Sequence, residues 1–185
     1  IILGMGLPTT AKYIVLATMA VPALLKLDVN LMSAHLFILY FGVVADITPP
    51  VALAAYAGAG IAGANAMKTG LQAVKLSLAA FIVPYIFAYD PSLILVKEVS
   101  GTDITFIPFI SALPVILSAI IGILCLASAV EGYLKTNCKA YERILLLIAA
   151  LSLLKPGLMT DAFGIIVLIS TYSMQNFRMK KSEAV

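Results

Sequence analysis

Val43-Val44-Ala45-Asp46-Ile47-Thr48-Pro49-Pro50-Val51-Ala52-Leu53 stands at the middle of an apolar stretch running from residue 31 to residue 61. A helix needs about 20 apolar residues to cross a bilayer. Neither residues 31–45 nor residues 51–61 suffice alone, but the two together do. Adjacent prolines remove two amide donors and leave carbonyls of the preceding turn without their usual partners. Thr48 adds a hydroxyl. Asp46 would cost about 2.5–3.5 kcal/mol at the centre of an inserted helix, so it is not expected to face lipid. Unwound carbonyls at mid-depth are a common way for a transporter to coordinate Na⁺. The plainer alternative is a proline-kinked helix whose Asp reaches water.

The surroundings of this break place it in a membrane. The chain has 185 residues, 62% hydrophobic and 11% charged, with a mean hydropathy of +1.08. Soluble domains carry about 25% charged residues, because most of their area needs a polar surface. The composition excludes an ordinary soluble globule, a disordered chain and a nucleic-acid partner. Residues 71–89 and 106–130 read as spans, the second without a charge. Residues 13–25 are apolar but short, and so are 144–154 and 162–172, separated by Lys155-Pro156-Gly157. The first residues, Ile1-Ile2-Leu3-Gly4, read as the interior of an apolar segment. The expectation is therefore the C-terminal part of a longer protein.

Lys and Arg near the span ends set orientation. Lys68 and Lys75 place 62–70 inside. The acidic loop 90–105, with Asp90, Glu98 and Asp103, falls outside. Lys135, Lys139 and Arg143 place 131–143 inside, and the basic tail follows. These assignments alternate across the two spans. Residues 31–61 then run from outside to inside, and 13–25 reads as the returning arm of a re-entrant hairpin. Residues 144–172 read as a shallow hairpin turning at Pro156-Gly157, with the C-terminus cytoplasmic.

A second irregular site is Gly4-Met5-Gly6-Leu7-Pro8-Thr9-Thr10-Ala11. Glycine, proline and threonine against apolar sequence break a helix, and such backbone is tolerated at membrane depth only when buried in protein or lining a cavity. Its functional reading is an ion- or substrate-binding hairpin tip; the alternative is a plain turn at the membrane surface. Ala59 and Gly63 have the spacing of a close helix contact. Lys12 reads as meeting a lipid headgroup or a substrate carboxylate, His35 as a hydrogen-bonded packing residue, and Lys155 and Asp161 as interfacial. Cys125 and Cys138 read as free thiols. One His and no ligand spacing argue against a metal centre, and no nucleophile–base–acid set is visible, so the chain is not expected to be an enzyme.

Gly4-Met5-Gly6-Leu7-Pro8-Thr9-Thr10-Ala11-Lys12-Tyr13-Ile14-Val15, followed about 35 residues later by Asp46-Ile47-Thr48-Pro49-Pro50-Val51-Ala52-Leu53, resembles the large membrane subunit of TRAP transporters. The wording is similar to fused permeases that work with TAXI-type substrate-binding proteins. Residues 155–161 resemble the C-terminal extension of those permeases. The resemblance implies an all-α integral membrane fold, the second inverted repeat of an elevator-type ion transporter with a re-entrant hairpin and a broken helix. Residues 1–130 would be permease domain and 131–185 a basic loop, a short apolar hairpin and a tail.

The resemblance also implies secondary uptake of an organic anion, usually a carboxylate, across the bacterial inner membrane. A periplasmic binding protein would deliver it, and a cation gradient, usually Na⁺, would drive it. The ion- and substrate-binding residues would be Gly4, Gly6, Thr9, Thr10, Asp46, Thr48 and Pro49, with Na⁺ at Gly6, Asp46 and Thr48. Asp46 is ionisable, so it could strengthen a cation site or carry a proton itself. The remaining partners would be the rest of the permease chain and membrane lipid, with no cofactor beyond the coupling Na⁺ or H⁺. Two other classes compete: an intramembrane enzyme, which needs a second group facing Asp46, and a non-transporting assembly subunit, which needs no polar breaks.

Overall fold

The structure, a computed structural model, describes residues 6–97, 105–155 and 157–183, without the side chains of residues 79 and 180–183. Gly4, Glu98, Asp103 and Pro156 lie outside the described residues. The chain divides into two compact units, residues 1–108 and 109–185.

In the first unit, α1 (Thr9–Leu25) and α2 (Leu31–Val44) form a helical hairpin. Asn30 caps α2 by accepting the Met32 N–H at 2.9 Å, which satisfies one of the free donors of the first turn. Leu16, Val21, Ala34 and Ile38 form the seam between the two helices. A short 3₁₀ turn, Ala45–Ile47, ends α2. The chain then loosens through Thr48–Ala52 and re-enters a helix as α3 (Leu53–Ala62). The apolar stretch around Asp46 is thus two short helices with an irregular joint.

Helices α4 (Ala66–Leu76) and α5 (Leu78–Tyr89) follow one another across Ser77. Together Ala66–Tyr89 is long and apolar enough to cross a membrane. Ser33 Oγ donates to Phe87 O at 3.0 Å, and Tyr85 packs edge-on to Phe37 at 5.3 Å. These contacts hold α5 on α2. A 3₁₀ turn, Pro91–Ile94, leads to a two-residue antiparallel pair, β1 (Val96–Lys97) with β2 (Thr105–Phe106).

One expectation in this unit fails. Gly63 does not pack against a neighbouring helix. It ends α3 with φ +63, and an added Cβ there would meet nothing within 4 Å. The Ala64 N–H reaches back to Ala59 O at 2.8 Å, so the glycine serves the left-handed helix terminus that L side chains resist. Ala59 itself is buried.

The second unit is α6 (Phe109–Glu131), α7 (Ala140–Leu154) and α8 (Leu158–Glu183). Both α6 and the Leu158–Met179 part of α8 are long and apolar enough to cross a membrane. An added Cβ on Gly122 would come within 3.1 Å of Leu154 Cγ, and one on Gly164 within 2.5 Å of Leu153 Cγ. Absent side chains therefore let α6 and α8 each close on α7. Helices α7 and α8 each extend beyond the apolar segments 144–154 and 162–172 that they contain. Polar residues after 170 ended the apolar pattern, but Thr171 and Gln175 are fully buried and carry the packed face of α8 onward.

Candidate functional site

Residues around the joint satisfy one another locally. Thr48 Oγ1 donates to Val44 O at 2.8 Å, closing the carbonyl that the Thr48 N–H leaves by turning to Ala45 O at 3.3 Å. The Ala52 N–H reaches Thr48 O at 3.0 Å. Ala52 is fully buried and left-handed, with φ +37, a conformation that costs an alanine about 1–3 kcal/mol. Tyr56 in α3 donates from its hydroxyl to Pro50 O at 3.0 Å. Gly70 of α4 lies beneath the joint: a Cβ there would sit 3.0 Å from Pro49 Cγ and 3.1 Å from Tyr56 Cε1. Helix α4 can approach the prolines only because position 70 has no side chain.

The main departure from the sequence reading is Lys12. It does not reach a headgroup. Its side chain is wholly buried, and Nζ lies 2.6 Å from Asp46 Oδ1 and 3.0 Å from Gly42 O. The lysine stem passes beside Gly42, where an added Cβ would meet Lys12 Cδ at 3.5 Å, an ordinary contact distance. A buried ammonium must be paired and hydrogen-bonded to be tolerated, and Asp46 with Gly42 supplies both. Asp46 keeps partial access, its side chain being 29% exposed. The pair joins the first turn of α1 to the end of α2 across 34 residues of sequence.

The other expected site residues are placed separately. Gly6, Thr9 and Thr10 are exposed. Gly6 has φ +75, and the two threonines open α1, whose cap position Pro8 makes no side-chain bond to the helix. A helix start presents free N–H groups and the positive end of the dipole, which suits an anion. Among the described residues, no hydrogen bond links Gly6, Thr9 or Thr10 to Asp46 or Thr48; Lys12, one turn along α1, makes that connection. His35 bonds Tyr13 Oη through Nδ1 at 2.8 Å, the packing role expected of it. Among the described residues, no group of three His, Cys, Asp or Glu side chains is placed to hold a metal ion.

The second unit has a buried polar cluster that the sequence did not suggest. Glu142, at the first turn of α7, accepts from the Lys139 N–H at 2.9 Å, Gln175 Nε2 at 3.1 Å and Arg178 Nη1 at 2.8 Å. Burial pushes its carboxyl up, but those three donors and the guanidinium charge outweigh it, so the group titrates below the usual glutamate value. Arg143 caps α6 by donating to Ala129 O and Val130 O, both at 2.8 Å. Asp161 is not merely interfacial. Its Oδ1 lies 2.6 Å from Ser118 Oγ, which is also 2.9 Å from Leu153 O. The hydroxyl has a single proton, and the charged carboxylate is the stronger acceptor. Sequence spacing carried little sign of the Glu142–Gln175, Glu142–Arg178 and Asp161–Ser118 bonds, whose partners lie 33 to 43 residues apart; only the helical spacing of Thr171, Gln175 and Arg178 hinted at one polar face.

Comparisons with known proteins agree with the division of the chain. Residues 112–167 match a family described as a domain of unknown function, DUF3394. Neither the curated proteins nor the solved structures yield a match. Residues 1–102, which contain the joint, the Lys12–Asp46 pair and the start of α1, match the family described as Tripartite ATP-independent periplasmic transporter, DctM component. The chain is a multi-pass, mostly helical membrane protein that belongs to the DctM family, the large permease component of TRAP transporters.

Proposed function

We propose that this chain contributes the ion- and substrate-handling half of a permease for secondary uptake of an organic anion, a carboxylate in the first instance. A periplasmic binding protein delivers the anion, and a Na⁺ or H⁺ gradient across the bacterial inner membrane drives its entry by an elevator motion. The observation that carries this reading is an irregular joint with a polar core inside the stretch that matches the transporter family.

The supporting chemistry is divided between two places. At the start of α1, Gly6, Thr9 and Thr10, with Gly4 upstream, offer N–H and hydroxyl donors for a carboxylate. At the joint, Asp46, Thr48 and Pro49 offer oxygens. Of the expected Na⁺ ligands Gly6, Asp46 and Thr48, the Asp46 carboxylate is already engaged by Lys12, so Gly6 and Thr48 are left as the candidates, and Asp46 enters the reading as the partner of Lys12 or as a proton carrier. Residues 1–130 act as permease, with 1–25 as part of a re-entrant hairpin and 131–185 as an appended basic loop, hairpin and cytoplasmic tail.

The test is uptake into proteoliposomes containing the full permease, with its binding protein supplied outside, under Na⁺, H⁺ or no gradient. Gradient-dependent accumulation of a carboxylate supports the reading; accumulation without any gradient defeats it. Asp46→Asn, which leaves the buried Lys12 ammonium unpaired, is expected to lower uptake at least tenfold and alter its dependence on the H⁺ gradient. An unchanged rate with unchanged H⁺ dependence would remove Asp46 from coupling.

A further inference from the structure

We infer that Lys12 is a built-in counter-cation: its ammonium takes the place at Asp46 that a free Na⁺ would otherwise occupy, so no Na⁺ binds at this carboxylate. The inference rests on the transport reading for its meaning, but its geometry stands apart from it.

A Na⁺ site at a broken helix would draw on a carboxylate oxygen and main-chain carbonyls from the end of the helix. The Lys12 ammonium has those contacts, Asp46 Oδ1 at 2.6 Å and Gly42 O at 3.0 Å. It reaches them from α1, its stem passing beside Gly42. Lys12 is fully buried, so its charge has no water to retreat to and depends on Asp46 for neutrality. One ammonium and one carboxylate already balance. Among the described residues, no other charged side chain joins the pair, so a second cation at Asp46 would be uncompensated and would face Lys12 at close range. Thr48, the neighbouring hydroxyl, spends its proton on Val44 O and adds no negative charge. Asp46 therefore lacks the net charge that would hold a Na⁺, while removing the lysine charge would restore it.

The consequence is a latent site. Replacing Lys12 by methionine keeps the stem length and deletes the charge, leaving Asp46 29% exposed and unneutralised. Sodium should then bind where it did not before. Lys12→Arg keeps the charge and should keep the wild-type behaviour.

The experiment uses the full permease in detergent, melted in NaCl or choline chloride at constant ionic strength, with Na⁺ itself as the probe. Lys12→Met should gain a Na⁺-dependent rise of about 2–4 °C at saturating Na⁺, over and above any rise the wild type shows. That gain should vanish in Lys12→Met/Asp46→Asn and be absent from Lys12→Arg. Asp46→Asn alone should leave the wild-type Na⁺ response as it is. The inference is overturned if Lys12→Met responds to Na⁺ no more than the wild type. It is equally overturned if Asp46→Asn abolishes a wild-type Na⁺ response, an arm that remains decisive should Lys12→Met fail to fold. Failure of the transport reading would appear separately, as no gradient-driven uptake by wild type, whatever the melting curves show.

Discussion

At the scale of single residues, Lys12 and Gly70 carry the site, and neither is conspicuous in the sequence. The Asp-Ile-Thr-Pro-Pro run announces the joint, because two prolines and a carboxylate inside an apolar stretch have few physical explanations. Its partner is not announced. A lysine near a helix start ordinarily extends its ammonium to water, and nothing in the spacing says that this one turns inward to a carboxylate 34 residues away. Gly70 was hidden for the opposite reason: what matters is a missing side chain opposite Pro49 and Tyr56. Gly70→Ala gains about 1 kcal/mol of helix propensity but incurs about 1–3 kcal/mol of overpacking. It should therefore lower the melting midpoint slightly, and Gly70→Val much more, with loss of uptake. Gly58, in α3 with nothing within 4 Å of an added Cβ, is the control. Gly58→Ala should raise the midpoint through helix propensity alone. Thermal melts of the three variants in one detergent check the order.

Among the elements, the sequence located helices better than it located their ends. Spans at 71–89 and 106–130 appear as the α4–α5 run and as α6. Helix α8 runs past its hydropathy limit because Thr171 and Gln175 are buried with their polar groups satisfied, Thr171 on Val167 O one turn back in α8 and Gln175 on Glu142 of α7. Glu142 is the centre of that arrangement. Its folded-state pKa lies below the ordinary value, so its contribution is fully present above the unfolded glutamate pKa of about 4.3. It is lost as pH falls through the lowered folded value. Glu142→Gln should cost about 1–3 kcal/mol at pH 7, the price scale of a charged hydrogen bond, and the variant should lose less stability on acidification than wild type. Melting the protein between pH 3 and pH 7 checks this. A parallel acid limb in both proteins would mean that Glu142 does not govern it.

For the whole molecule, orientation and division are the open quantities that the sequence addressed directly. The basic residues that argue for an inside loop at 131–143 are partly employed elsewhere, Arg143 on the α6 carbonyls and Lys135 on Asn176 at 2.8 Å. Cys138 lies in the same loop, half-buried, while Cys125 is buried in α6. A membrane-impermeant maleimide should therefore modify Cys138 only after the cytoplasmic side is opened, and Cys125 not at all. Labelling of Cys138 in intact spheroplasts would invert the topology that the basic loops lead one to expect. The family matches, 1–102 and 112–167, meet without overlap where the chain divides. Each unit closes its notable polar bonds within itself: Lys12 on Asp46 in the first, Glu142 on Gln175 and Arg178 and Asp161 on Ser118 in the second. Among the described residues, no buried side-chain nitrogen or oxygen lacks a hydrogen-bond partner. The Lys12–Asp46 pair and the Glu142 cluster can therefore be altered one at a time, each change being felt first in its own unit.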